Sequence, residues 1–386
     1  MKRDTISVHG GAWRSEHGET SEAIFMTSGY VYNSPEDAAA RFAGEQDGFI
    51  YSRYANPTVN MFEKRLAALE GAQRAFATAS GMAAMTAAMM APLRAGDHLV
   101  ASRALFGSCH YVVSELLPRY GIATTLVDGR DLDQWRAALR DNTKMFFCES
   151  PSNPCLELVD LKKVADIAHE QDILFVVDNV FATPTFQRPI ALGADVVAYS
   201  TTKHIDGQGR CLGGAIVTSH EIFDTFYEKF LRNTGPALSP FNAWVMLKGL
   251  ETMDLRITKQ TQTAQQIAQW MKQHLKIKTL LYPHDESHPQ YELAKEQMSG
   301  GGSLICFDVG TKEYAFHILN QLNLIKISNN LGDARTLITH PASTTHARVP
   351  QEDKMTLGIH PGTLRISVGL EDVDDLIQDL KEAMDT

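Results

Sequence analysis

From Thr58 onward, short apolar runs alternate with stretches of helical periodicity, and this alternation constrains the fold more than any other feature of the chain. The runs cover 98–101, 124–127, 145–148, 173–177, 196–199 and 214–218, and helical spacing fills 59–69, 81–90, 107–117, 133–140 and 160–171. Strands that are apolar throughout, rather than at every second residue, are buried on both faces. Helices between them are what covers a mostly parallel sheet. A long helical stretch follows at about 239–275, interrupted by one glycine, Gly249, and by no proline after Pro240. Beyond it lies a smaller α/β unit, with strand-like 303–309, 324–328 and 363–368 and helices over 312–322 and 371–384. Residues 1–57 are irregular, with turn signals at Asn33-Ser34-Pro35 and Asn56-Pro57. A segment with so little core of its own packs on a neighbour, in the same chain or another. The chain therefore divides into an N-terminal arm (1–57), a large domain (58–249) and a C-terminal domain (250–386).

Composition excludes several classes of function. At 386 residues with 44% hydrophobic and 21% charged, the chain has the make-up of a soluble globular protein. No apolar run is long enough to span a membrane, and the basic start is not followed by an apolar signal segment. A formal net charge of −10 repels phosphate backbones, so nucleic acid is not an expected partner. Five cysteines, an odd number with no CxxC pair, read as reduced thiols of a cytoplasmic protein. Fourteen histidines include no HExxH and no cluster with zinc spacing, so no metal site is expected.

An open parallel sheet binds ligands at the carboxyl ends of its strands, and there this sequence places an unusual polar set. ILFVV runs into Asp178-Asn179, and VVAY runs into Ser200-Thr201-Thr202-Lys203. MFFC runs into Glu149-Ser150-Pro151-Ser152-Asn153-Pro154, and Ser80-Gly81-Met82 opens the helix after Ala79. Each piece alone is common. A strand-end Asp is usually a cap, SxTK arises by chance, and SGM is a generic helix start. Their joint order on one sheet edge suits pyridoxal 5′-phosphate (PLP). An aspartate keeps the pyridine nitrogen protonated, and Lys203 forms the imine. Ser200 and Thr202, two apart on one side of an extended segment, hydrogen-bond the phosphate. Ser80-Gly81-Met82 offers free helix N–H groups and, at Gly81, close backbone approach.

The chain resembles the Cys/Met-metabolism family of PLP enzymes over nearly its whole length. YSRYANPT (51–58) is similar to the family's early signature, DNVFATP (178–184) and AYSTTKHIDGQG (198–209) to its cofactor signature, and THPASTTH (339–346) and LRISVGLED (364–372) to its C-terminal motifs. The resemblance implies an aspartate-aminotransferase-like (type I) α/β fold, mostly parallel, with a smaller C-terminal α/β domain. It implies that Tyr51 and Arg53 reach the cofactor phosphate of the adjacent subunit, and that Asn153 approaches the ring oxygen. It also implies that Arg365 holds the substrate α-carboxylate as a bidentate pair. The assembly it implies is a homotetramer built from dimers that share active sites.

Two departures from the commoner pattern narrow the subgroup. Where most members stack a tyrosine on the cofactor ring within a Tyr-Gly turn, this chain has Phe106-Gly107; and where many have a serine before Leu-Gly, it has Asn330-Leu331-Gly332. Both departures, and ETSEAIFMTSGYVY (19–32), resemble the O-succinylhomoserine sulfhydrylases. The implied reaction is γ-replacement on an O-acyl-homoserine with sulfide as nucleophile, with Arg365 and Asn330 toward the substrate. Cystathionine γ-synthase, O-acetylhomoserine sulfhydrylase and the methionine or cystathionine γ-lyases share fold and cofactor and stand as alternatives. A non-catalytic PLP-binding regulator is a further one. A nicotinamide-dependent Rossmann enzyme would need GxGxxG after its first strand, which is missing.

Overall fold

The computed structural model describes residues 1–385. Its larger sheet comprises β1 (Arg74–Thr78), β2 (His98–Ser102), β3 (Ala123–Val127), β4 (Thr143–Glu149), β5 (Leu174–Asp178), β6 (Val196–Tyr199) and β7 (Gly214–Thr218), in the order β1-β7-β6-β5-β4-β2-β3. All pairings from β6 to β3 are parallel, whereas β7 is antiparallel to both of its neighbours. Helices cover both faces, so β2 and β7 are buried at every position and β4 at all but Lys144. The helix Gly81–Met90 is apolar around its circumference because it lies inside the molecule, between sheet and neighbours.

A second sheet carries β8 (Thr279–Leu281), β9 (Leu304–Asp308), β10 (Lys326–Ile327), β11 (Leu337–Thr339) and β12 (Thr363–Ser367) in the order β10-β11-β12-β9-β8. Its core is closed by the amphipathic helix Val373–Asp385 and by Met253–Met271. Among the described residues no helix is long and apolar enough to cross a membrane.

Three parts of the sequence reading change. Residues 1–57 contain two helices, Arg3–His9 and Pro35–Ala43. The Asn33-Ser34-Pro35 signal marks a helix start, with the Ser34 side chain accepting from Asp37 N and proline at the first helical position. Asn56-Pro57 does the same for Pro57–Glu70. The long helical stretch breaks at Thr252 into Pro240–Glu251 and Met253–Met271. At the break the Arg256 guanidinium donates to the carbonyls of His204, Ile205 and Gly249, tying the second helix to the segment after Lys203. Finally, β1, β8 and β11 went unread. RAFAT carries one large apolar residue, and its place is set by pairing with β7 rather than by its own pattern.

Candidate active site

Glu149, Asp178 and Ser200 come to one edge because β4, β5 and β6 run in parallel with Glu149 opposite Asp178 and Asp178 opposite Ala198. This edge floors a cavity of about 340 Å³ lined by Ser80, Gly81, Met82, Phe106, Glu149, Asn153, Asp178, Ser200, Thr202, Lys203 and Arg365, among others. Ten of the residues singled out from the sequence thus meet at one place; Glu149 is the eleventh.

Ser80 caps the helix Gly81–Met90 by accepting from Ala83 N at 3.1 Å. A Cβ on Gly81 would lie 2.5 Å from Ser200 Oγ, so only glycine lets the helix start this close to the end of β6. The segment after Ser200 is a turn, not the extended run expected: Lys203 N donates to Ser200 O at 3.2 Å. Thr202 Oγ1 is engaged at the start of β7, accepting from Gly213 N at 3.0 Å. Ser200 and Thr202 still line the same cavity, through a bend rather than through strand periodicity.

Lys203 Nζ donates to Asn330 Oδ1 at 2.6 Å. Burial, reinforced by the nearby Arg365 charge, lowers the Lys203 ammonium from 10.5 to about 8. Arg365, on β12, is 1% exposed. It donates to Asn153 Oδ1 at 2.7 Å and to the carbonyls of Asn329 and Asn330 at 3.0 and 3.3 Å. Its Nε is buried with no acceptor among the described residues. Asn330 therefore meets Lys203 with its side chain and Arg365 with its backbone, while Asn329 and Leu331 line the cavity.

Burial raises Asp178 from 3.8 to about 7, and its carboxyl accepts from Val180 N at 3.0 Å. A cationic N–H partner would favour the anion of a carboxyl so placed, adding to the Val180 N–H. Burial, then the charge of Asp178, pushes Glu149 up as well. The sequence reading noted Glu149 at the strand end and gave it no role; the signal was there, an acid buried in an otherwise apolar run.

Tyr51 and Arg53 do not join this set within one chain. Tyr51 is 42% exposed. Arg53 lies 4.7 Å over the Tyr54 ring and donates to the Arg232 carbonyl. A larger depression, about 570 Å³, lies between the first helix and residues 184–192 and 295–299. Arg3 there is held by Asp254, and no lysine–aspartate pair of the kind just described lines it.

The donor set fits PLP on chemistry the structure itself shows: a lysine with a depressed pKa, a buried carboxyl wanting a cationic partner, two hydroxyls beside a glycine-opened helix start, and an arginine with an unused buried donor. The family model for Cys/Met metabolism PLP-dependent enzymes matches residues 4–385, and the chain belongs to that family. Its cofactor is PLP. An O-succinylhomoserine sulfhydrylase of Mycobacterium tuberculosis is 53% identical, over 100% of this chain and 96% of the relative. One of Pseudomonas aeruginosa is 47% identical, over 99% and 94%. The crystal structure of a Campylobacter jejuni protein, provisionally assigned as an O-acetylhomoserine (thiol)-lyase and bearing N′-pyridoxyl-lysine-5′-monophosphate, superposes with a TM-score of 0.96 at 33% identity, covering both chains fully.

Proposed function

We propose that the chain catalyses γ-replacement on O-succinyl-L-homoserine: the Cγ–O bond to succinate breaks, a Cγ–S bond to hydrosulfide forms, and homocysteine is released. The observation that carries this reading is Phe106 at the cavity wall of a chain 53% identical to an O-succinylhomoserine sulfhydrylase. When bound, PLP supplies an electron sink for the charge left at Cα. Lys203 would hold the cofactor through Nζ, and the same amine, when free, would take the α-proton. With a pKa near 8 it is partly unprotonated at neutral pH and able to act as base and then as acid. Asp178 would partner the ring nitrogen, Phe106 would flank the ring, and Ser80, Gly81, Met82, Ser200 and Thr202 would hold the phosphate. Arg365 takes the α-carboxylate, and Asn153 and Asn330 hold Arg365 and Lys203 in place.

Both oxygens of Glu149 accept backbone N–H groups, and Asp178 is reserved for the ring nitrogen. Lys203 is then the lining amine left to move protons between Cα and Cβ. We infer also that the N-terminal arm crosses to a second subunit, that dimers pair into a homotetramer, and that the enzyme works in the cytoplasm. Apolar exposure in the arm supports the crossing, since Met26, Val31 and Phe42 are all more than half exposed in the single chain.

The test is to incubate the holoenzyme with O-succinyl- or O-acetyl-homoserine, each with sulfide or cysteine, and quantify products. Homocysteine from the succinyl ester with sulfide is expected to dominate; cystathionine as the main product would overturn the reading. A second expectation concerns Phe106→Tyr. A hydroxyl on the wall of the cavity that Lys203 also lines gives a second proton donor, so 2-oxobutanoate should rise relative to homocysteine. An unchanged ratio would mean that Phe106 only packs.

A further inference from the structure

The geometry points to Glu149 as a positioning residue that joins the cofactor-facing wall of the site to the substrate-binding arginine. It stands at the end of β4, 4% exposed, beside Asp178. Its Oε2 accepts from Phe106 N at 2.7 Å and its Oε1 from Asn153 N at 2.8 Å. Phe106 is the residue from which the helix Gly107–Tyr111 departs, so that bond sets where the ring lies. Asn153 in turn presents its Oδ1 to Arg365 at 2.7 Å. One carboxyl thus fixes two loops at once, and its influence reaches the guanidinium through a single intervening residue.

The chemistry of this position requires two acceptors. Two backbone N–H donors face Glu149 and cannot turn away without moving their loops; with the nearby Arg365 charge they favour the carboxylate, against burial and the neighbouring Asp178 carboxyl, which oppose it. Glutamine offers one acceptor and one NH₂, and the NH₂ would meet an N–H head-on in a buried place. Aspartate keeps both acceptors but is one methylene short of reaching both loops. Nothing in this requires Glu149 to touch substrate or cofactor.

The inference rests on the reading of Arg365 as the carboxylate-binding residue, and the experiment separates the two. Titrate the holoenzyme with L-norleucine and with L-norleucine amide, following the visible absorbance of the cofactor. Arg365→Met in the wild-type background checks that reading first: it should weaken the acid and spare the amide. Glu149→Gln should then weaken L-norleucine about 10-fold or more and the amide less than about two-fold. It should also alter the visible circular dichroism of the cofactor, because the Phe106 wall has moved. Asn153→Ala should weaken the acid likewise, and Glu149→Gln added to it should cost less than about two-fold more, since both act along one line. Equal weakening of acid and amide, or additive losses in the double variant, would overturn the inference. If Glu149→Gln yields no soluble holoenzyme, Glu149→Asp is measured in its place, with the same selectivity expected. Failure of both to fold would make Glu149 a folding residue and end the proposal.

Discussion

Lys203→Ala is expected to lose activity by roughly 10⁴-fold or more and to lose every trace of a borohydride-reducible cofactor adduct, because in the proposed mechanism one amine serves as both attachment point and proton carrier. Intact mass after reduction is the direct measurement, and an adduct at the wild-type level would place the attachment elsewhere. The pH dependence gives a sharper form of the same expectation. Only the unprotonated amine attacks an aldehyde, and burial with the Arg365 charge lowers Lys203 from 10.5 to about 8. The rate at which the apoprotein takes up PLP covalently should therefore rise with pH through a midpoint near 8, well below that of an ordinary lysine. Arg365→Met removes a neighbouring positive charge, which favours the protonated amine, so its midpoint should move upward. A midpoint that stays put would mean that Arg365 does not bear on the amine.

What was legible in the sequence follows from where local pattern decides structure. Strands β2, β4, β5, β6 and β7 are buried along almost their whole length, so their apolar runs stand out unaided, and the residues that end them can be placed on one edge from the sequence alone. The gathering of Asp178 and Lys203 at one cavity was readable for that reason, whereas Arg365, on β12 of the second sheet, was reached through the motif LRISVGLED. β1 was not, because RAFAT is held by its partner β7. Nor was the break at Thr252, which depends on Arg256 meeting carbonyls of residues 204, 205 and 249, a tertiary event without a local mark.

The bend after Ser200 shows the same limit within the site. Strand periodicity put Ser200 and Thr202 on one side by extending β6 three residues too far. The contact of Thr202 with Gly213, eleven residues on, turns the chain instead. Glu149 illustrates a different limit. Its position could be read, but its role consists of hydrogen bonds to the backbone of residues 43 and 4 positions away, and backbone partners leave no residue type to notice.

Mixing two inactive proteins should restore activity, and the reason lies in an arginine pair that the single chain leaves without an acid. Arg53 and Arg232 lie 4.7 and 4.1 Å over the same Tyr54 ring, and among the described residues neither has a carboxylate within ion-pair distance. Two guanidiniums on one ring repel each other and call for an anion. The phosphate of a neighbouring subunit's cofactor is the anion we propose for Arg53. A charge-assisted contact of that kind contributes roughly 1.5–3 kcal/mol, so Arg53→Ala should weaken PLP binding by about one to two orders of magnitude. Choose a PLP concentration at which Arg53→Ala sites are largely empty, and pair that protein with Lys203→Ala. In a hybrid dimer the site with an intact lysine receives its Arg53 from the other subunit, so it is whole, while the second site carries both lesions. Random reassortment of equal amounts should bring back about a quarter of the wild-type sites, since half the dimers are hybrids and each has one good site. If Arg53 served its own chain, no hybrid would contain a whole site. Mixtures with confirmed subunit exchange and no recovery would show that the arm does not cross.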